Sequence, residues 1–220
     1  MLHVLRRSTS IYVERRNRLT ETVYALTSEH VQPAMPIVIG LHGPAGVGKD
    51  TIADYMVRSW GFQKVSFAGP LKRGVSELFG IPMEDMEDRT VKEQTIETWG
   101  KSPRELNQWL GTEVMRNQFM TDFFLRRMDK SIETAGERIV VSDVRFDNEA
   151  EYILNNCCGF VWKVNAVSRG QLSYSAMAHS TEKPISPSLI GISVDNNSDL
   201  GFTFQQVDNH LQDVLPLSLV

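Results

Sequence analysis

Cysteine is almost missing from this chain of 220 residues: only Cys157 and Cys158 are present, and they are adjacent. Adjacent thiols make neither a disulfide framework nor a spaced metal-ligand set. They read as small core or helix-end residues in a reducing compartment. Long apolar runs are missing too. No stretch approaches the roughly 18 residues that would signal a membrane-spanning helix, and Arg6 and Arg7 are not followed by the apolar segment of a secretory signal. Neither sign of charge dominates, with 23 Lys and Arg against 27 Asp and Glu and a net charge of -4. That balance argues against a nucleic-acid coat and predicts no stable nucleic-acid binding, while leaving room for a local basic cleft. No internal repeat and no nucleophile–His–Asp arrangement is present. A soluble, cytoplasmic α/β protein is expected, with 41% hydrophobic residues to build its core.

What is there begins with Gly40-Leu41-His42-Gly43-Pro44-Ala45-Gly46-Val47-Gly48-Lys49-Asp50-Thr51. From Gly43 the chain reads G-x-x-x-x-G-K, the phosphate-binding loop pattern, between the apolar run Ile37-Val38-Ile39 and a helix-like segment. Glycines let backbone N–H groups curl around phosphate oxygens, Lys49 adds a positive charge, and the helix N-terminus adds its partial charge. Gly43, Gly46, Val47, Gly48, Lys49, Asp50 and Thr51 are therefore candidate nucleotide-phosphate ligands. Asp50 stands where a Mg²⁺-binding hydroxyl is usual, and Thr51 comes one residue later.

Residues 1–35 stand apart as an extension, with five Arg and three Glu. Leu19, Val23 and Leu26 have helical spacing, and Glu14, Glu21 and Glu29 count against a mitochondrial presequence. Residues 36–220 alternate strands and helices, which predicts a parallel sheet with helices on both faces. After the loop, a helix to Gly61 leads to a strand at Lys64–Ala68 and a helix from Pro70 to Phe79. Residues 81–101 are polar and charged. Ser102-Pro103-Arg104-Glu105 starts a helix with a capping box. Its expected buried stripe is Leu106, Trp109, Leu110 and Val114, while Arg104, Gln108, Thr112 and Arg116 step by four along another face. Strands at Arg138–Asp143, Phe160–Val164 and Ile190–Val194 follow, with Asp147 or Asn148 capping an intervening helix. Residues 166–188 form a long loop that invites a functional explanation.

Ligands of such sheets sit at the carboxyl ends of the strands. Asp143 ends an apolar strand there, as a candidate ligand of Mg²⁺ directly or through water, and Arg145 lies two residues on. Arg169 is a candidate lid residue that neutralises charge on a transferring phosphoryl group. The Arg104, Gln108, Thr112 and Arg116 row is either a solvated face or a second substrate site, in which two guanidinium groups hold a phosphate and Gln108 meets a base edge. Lys72 is placed to reach the same phosphate, and His179 is a candidate lid contact.

Together, Gly48-Lys49-Asp50-Thr51, Phe67-Ala68-Gly69-Pro70-Leu71-Lys72, Ser102-Pro103-Arg104-Glu105-Leu106, Gln108-Trp109-Leu110-Gly111-Thr112-Glu113, Ser142-Asp143-Val144-Arg145-Phe146 and Asn148-Glu149 resemble the bacteriophage deoxynucleoside monophosphate kinases. The resemblance covers about residues 36–215. It implies a P-loop three-layer sandwich with a central five-stranded parallel sheet, a helical monophosphate-binding insertion and a lid. The implied reaction is ATP- and Mg²⁺-dependent phosphorylation of deoxynucleoside 5'-monophosphates for phage DNA synthesis, in the host cytoplasm and often by a homodimer. Position by position it implies ATP-phosphate contacts at Gly46, Gly48, Lys49, Asp50 and Thr51. It implies a monophosphate site at Gly69, Lys72, Arg104, Gln108, Thr112 and Arg116, with Asp143 and Arg145 between the two. His179 and Glu182 resemble a lid segment with shifted spacing, and Asn196 resembles the loop bordering adenine. Asp50, Thr51 and Asp143 remain the routes to metal.

Alternatives remain. One is a P-loop kinase of another phosphorylated acceptor, of the dephospho-coenzyme A or phosphomevalonate type. Another is a nucleotide-binding ATPase that is not a kinase. A GTPase switch would need an Asn-Lys-x-Asp motif and a motor an Asp-Glu pair after the strand, and neither is present.

Overall fold

The computed structural model describes residues 4–7, 10–13, 36–88, 90–167 and 183–215. The chain forms two compact units, Met1–Met35 and Pro36–Val220. In the first, β1 (Val4–Arg7) and β2 (Ser10–Val13) pair antiparallel, with Val4 opposite Val13. The helical spacing of Leu19, Val23 and Leu26 falls outside the described residues.

The second unit holds a parallel sheet of five strands: β3 (Ile37–His42), β4 (Gln63–Val65), β5 (Arg138–Val144), β6 (Phe160–Asn165) and β7 (Ile192–Asp195). Their order is β4-β5-β3-β6-β7, so the strand that feeds the phosphate loop is central. Successive side chains of a strand point to opposite faces, and both faces here are covered. Ile39, Leu41, Val140, Trp162 and Val164 pack with α1 (Lys49–Trp60) and α7 (Leu200–Val214) through Ile52, Met56, Val207 and Leu211. Val38, Ile139, Val141 and Val161 face the other way, toward Phe124 and Met128 of α5 (Phe123–Glu133) and Ile153 of α6 (Asp147–Asn155). The uninterrupted apolar runs of β3 and β5 follow from this double burial. The result is the three-layer α/β sandwich expected from the alternation of elements.

A third cluster, Val75, Ile81, Met86 and Leu106, holds α2 (Gly69–Phe79), α3 (Met83–Glu87) and α4 (Pro103–Gln108) together as a helical insertion. The capping box at α4 is formed. Ser102 Oγ accepts the Glu105 N–H at 3.2 Å and Glu105 Oε2 accepts the Ser102 N–H at 2.8 Å.

Two local expectations are corrected. The strand read as Lys64–Ala68 ends at Val65, because the N–H groups of Phe67 and Ala68 turn to the Asp143 carboxylate instead of the sheet. The helix after Ser102 does not stay α-helical. It becomes π-helical over Trp109–Phe119, with the Met120 N–H donating to Met115 O, five residues back. Winding with more residues per turn changes which positions share a face: those four apart drift by roughly 40° at each step in an α-helix and by a similar angle in the opposite sense in a π-helix. Leu106 is buried as expected, but Trp109 is 44% exposed and Leu110 and Val114 are only half-buried. The buried positions of the π segment are Gly111, Thr112 and Arg116. No described helix is long and apolar enough to cross a membrane.

Candidate active site

The phosphate loop follows β3 at the carboxyl edge of the sheet. Gly43 and Gly48 are in the left-handed region, with φ of 147° and 99°. A Cβ on Gly43 would lie 2.6 Å from Val164 O, and one on Gly48 would strike the Asn196 amide, so both positions require glycine. The buried Lys49 donates from Nζ to Gly43 O and Pro44 O, each at 2.7 Å, which centres its charge in the loop. No side chain caps the start of α1, so its first N–H groups face the loop. Backbone donors, a lysine and a helix N-terminus at one point fit a nucleotide's phosphates.

Asn196 lies beneath this loop and is 1% exposed. Its Nδ2 donates to Val47 O at 2.8 Å, and its Oδ1 accepts the Thr203 hydroxyl at 2.9 Å. The amide expected beside adenine is therefore engaged in bracing the loop from below. Asp50 is largely exposed and 2.9 Å from Lys64 Nζ. Burial works to raise its pKa, but the hydrogen bond and charge of Lys64, with Lys72 and Lys49 behind, outweigh that and hold it below the usual carboxylate value. Thr51 is half-buried in the first turn of α1. Among the described residues no group of three or more His, Cys, Asp or Glu gathers to hold a metal ion. That sparse donor set fits Mg²⁺ carried on nucleotide phosphates, since this ion keeps several waters and takes only one or two carboxylates. Asp143 and Asp50 both line the cavity described below, so the one or two carboxylates that such an ion would accept are present there.

Asp143, at the end of β5, accepts the Phe67 N–H at 2.8 Å on Oδ1 and the Ala68 N–H at 2.9 Å on Oδ2. Each carboxylate oxygen can take a second bond, so this grip leaves capacity toward the cavity. Glu149, one turn into α6, is 1% exposed. Its Oε1 accepts from Arg116 Nη2, and its Oε2 accepts the N–H groups of Arg145 at 2.7 Å and Phe146 at 3.2 Å. Burial pushes the Glu149 pKa up to about 7. The Arg116 charge pulls it down, Asp143 pushes it up, and the two N–H groups pull it down again. The Arg116 guanidinium carbon sits 4.2 Å from the ring centre of Phe146 and 4.8 Å from that of Phe124. The expected helix cap at Asp147 or Asn148 is not what forms. Glu149 reaches back to the start of the helix, and the Asp147 carboxylate accepts the Ser186 N–H at 2.8 Å and its hydroxyl at 2.5 Å.

These groups line one open cavity of about 670 Å³ between the sheet edge and the helical insertion. The phosphate loop lines it with Ala45, Gly46, Lys49 and Asp50, a wall far along the chain from the loop holds Gly69, Lys72, Arg104, Gln108, Thr112 and Arg116, and Asp143 and Arg145 line it from the end of β5. The row read at spacing four is thus a cavity wall and not a solvated face. The cations lining the cavity at this wall are already paired: Arg104 Nε lies 2.6 Å from Glu93, Arg116 is bonded to Glu149, and Lys72 Nζ is 3.7 Å from Glu87. Gln108 Nε2 and Asn107 Oδ1 are buried without a hydrogen-bond partner, which leaves an amide donor and acceptor at this wall for a ligand. Gly43, Val47, Gly48, Thr51 and Asn196 support the loop without lining the cavity. Arg169, His179 and Glu182 lie outside the described residues.

Residue-type reasoning gave no role to Glu149, Asn107, Glu93 or His42. His42 is buried, with Nδ1 3.0 Å from Val144 O and Nε2 accepting the Ile185 N–H at 3.4 Å. Burial lowers its pKa; the bond to Val144 opposes this, and Lys49, Arg145 and Lys163 add to it. For Glu149 a signal was available, as an acidic residue three positions after a helix start.

A central parallel strand feeding a phosphate loop, with an acidic strand end and a cationic far wall, defines a P-loop protein of the kinase type. The chain belongs to the deoxynucleotide monophosphate kinase family: the family described as "Deoxynucleotide monophosphate kinase" matches residues 81–207. A protein of Acanthamoeba polyphaga mimivirus, provisionally named a deoxynucleotide monophosphate kinase, is 36% identical over 131 residues, which is 53% of this chain and 68% of that protein. Among solved structures, TT1252 from Thermus thermophilus aligns with a TM-score of 0.48 at 17% identity, over 82% of this chain and 99% of that one. Dephospho-CoA kinase from Campylobacter jejuni aligns with a TM-score of 0.43 at 14% identity, over 82% and 98%.

Proposed function

We propose that the protein phosphorylates deoxynucleoside 5'-monophosphates to diphosphates with ATP as donor and Mg²⁺ as the accompanying ion, in the supply of DNA precursors. The observation that carries this reading is the shared cavity. The loop with Lys49 and the row Arg104, Gln108, Thr112 and Arg116 line one and the same space, together with Asp143 and Arg145. Two phosphorylated ligands brought head to head need such an arrangement.

Within it, the loop's N–H groups and Lys49 bind the donor phosphates. Lys72, Arg104 and Arg116 hold the acceptor phosphate, and Gln108 and Asn107 meet the base. Arg145 stabilises charge on the phosphoryl group in flight. Mg²⁺, when bound, screens the donor phosphates, with Asp143 and Asp50 as the nearby carboxylates. No general base is required, because the acceptor oxygen belongs to a phosphate that is already anionic at neutral pH. Arg104→Ala is expected to raise the KM for the monophosphate more than that for ATP. The opposite pattern would assign the row to the donor.

A further inference from the structure

We propose that Glu149 is the positioning residue of the acceptor site: it holds the Arg116 guanidinium by one edge so that the remaining N–H donors meet a phosphate monoester in the cavity. The inference rests on the function proposed above and adds a residue to it.

Glu149 has almost no access to solvent and lies at the inner end of the cavity lining, beside Arg116. Its carboxylate gathers three donors from two elements, Nη2 of Arg116 on the π-helical segment and the N–H groups of Arg145 and Phe146 after β5. The guanidinium is packed against the rings of Phe146 and Phe124. A guanidinium carries five donors in a rigid plane. With Nη2 fixed on Glu149 and its faces on aromatic rings, rotation about the plane is closed off. Nε and Nη1 make no hydrogen bond within the described residues, and Arg116 lines the cavity. Glu149 takes one of the two N–H groups of Nη2, and the second, paired with the neighbouring donor on Nε or Nη1, makes an edge that suits two phosphate oxygens. The same carboxylate ties Arg116 to the backbone of Arg145, so the acceptor anchor and the transfer-site arginine share one support. Glu149 is not itself a ligand; it acts through Arg116.

The test is a double-mutant cycle on the full chain, with Glu149→Gln, Arg116→Ala and the pair, read as the dissociation constant of a deoxynucleoside monophosphate by titration calorimetry. The glutamine amide still offers an oxygen to the backbone N–H groups but lacks the charge that fixes Arg116. The single Glu149→Gln change is expected to weaken monophosphate binding roughly 10- to 100-fold, as for the loss of a hydrogen bond to a charged group, with ATP affinity unchanged. In the Arg116→Ala background it should have no further effect. An equal loss in both backgrounds, no loss, or an equal loss of ATP affinity would overturn the inference and leave the proposed function standing. Failure of the unaltered chain to bind any deoxynucleoside monophosphate would overturn both. If Glu149→Gln does not fold, Arg116→Ala carries the test alone. Millimolar guanidinium ion should restore its monophosphate binding by occupying the place Glu149 defines, and absence of rescue contradicts the proposal.

Discussion

The carboxylate of Asp143 and the backbone of Phe67 are joined at 2.8 Å, and the neighbouring Ala68 N–H closes the grip at 2.9 Å. One strand end thereby fixes the turn that launches α2, the helix carrying Lys72. Asp143→Ala leaves two partly buried N–H groups without an acceptor, at a cost of about 1–3 kcal/mol. It also removes one of the two carboxylates proposed to meet a nucleotide-borne Mg²⁺, which under the proposed function is expected to lower kcat by roughly 100-fold. Urea unfolding and steady-state kinetics read the two effects separately. Unchanged stability would mean that the turn is held by something other than Asp143.

The Asn196–Val47 hydrogen bond predicts a loss confined to the donor side. Asn196→Ala removes the donor to Val47 O from a buried site, again at about 1–3 kcal/mol. The KM for ATP should rise severalfold while the monophosphate KM stays within about twofold, because the bond braces the phosphate loop and not the far wall. A larger effect on the monophosphate would show that the brace does not act through the phosphate loop.

Glu93 is bonded to Arg104 at 2.6 Å, and under the proposed function it competes with the anionic substrate for that guanidinium. A partly exposed pair of this kind contributes about 0.2–1 kcal/mol. Glu93→Gln should therefore lower the monophosphate KM by up to about fivefold, with kcat little changed. A raised KM would mean that Glu93 orients Arg104 instead of competing for it.

His42 gives a pH dependence whose sign is fixed by its burial. Its pKa in the fold lies below the ordinary 6.5, depressed by burial against the opposing bond to Val144 and with the charges of Lys49, Arg145 and Lys163. Protonation favours the unfolded chain, so the His42 contribution to stability is present above about pH 6.5 and is lost as pH falls through its lowered value. Glu149 acts in the other direction, because its raised pKa favours the protonated folded form at low pH. The comparison must therefore be a difference between the unaltered chain and His42→Gln, measured by denaturant unfolding from about pH 7.5 to about pH 5. The difference should shrink on acidification. A constant difference would show that His42 does not titrate across this range.

The alternation of strands and helices, the phosphate loop and the cap at Ser102 were legible because each depends on local pattern: apolar runs, glycines before Lys49, and a Ser–Glu pair three apart. The row Arg104, Gln108, Thr112 and Arg116 was legible as a row, but its burial was not. Trp109 looked like core and is exposed, because the helix changes winding at that residue and no propensity in the segment announces it. Pairings across long separations were also hidden. Asn196 lies 149 residues from Val47, and Arg116 lies 33 from Glu149. These partners are set by which elements the sheet brings together, which no spacing rule along the chain encodes.

The occupant of the far wall of the cavity decides the function, and the occupant proposed is a deoxynucleoside monophosphate. The direct measurement is ADP formation from ATP by the full chain, followed with a coupled assay in the presence and absence of each common deoxynucleoside monophosphate. Strong stimulation by at least one of them, with its diphosphate as product, is the predicted result. Equal ATP turnover with and without every monophosphate would contradict it.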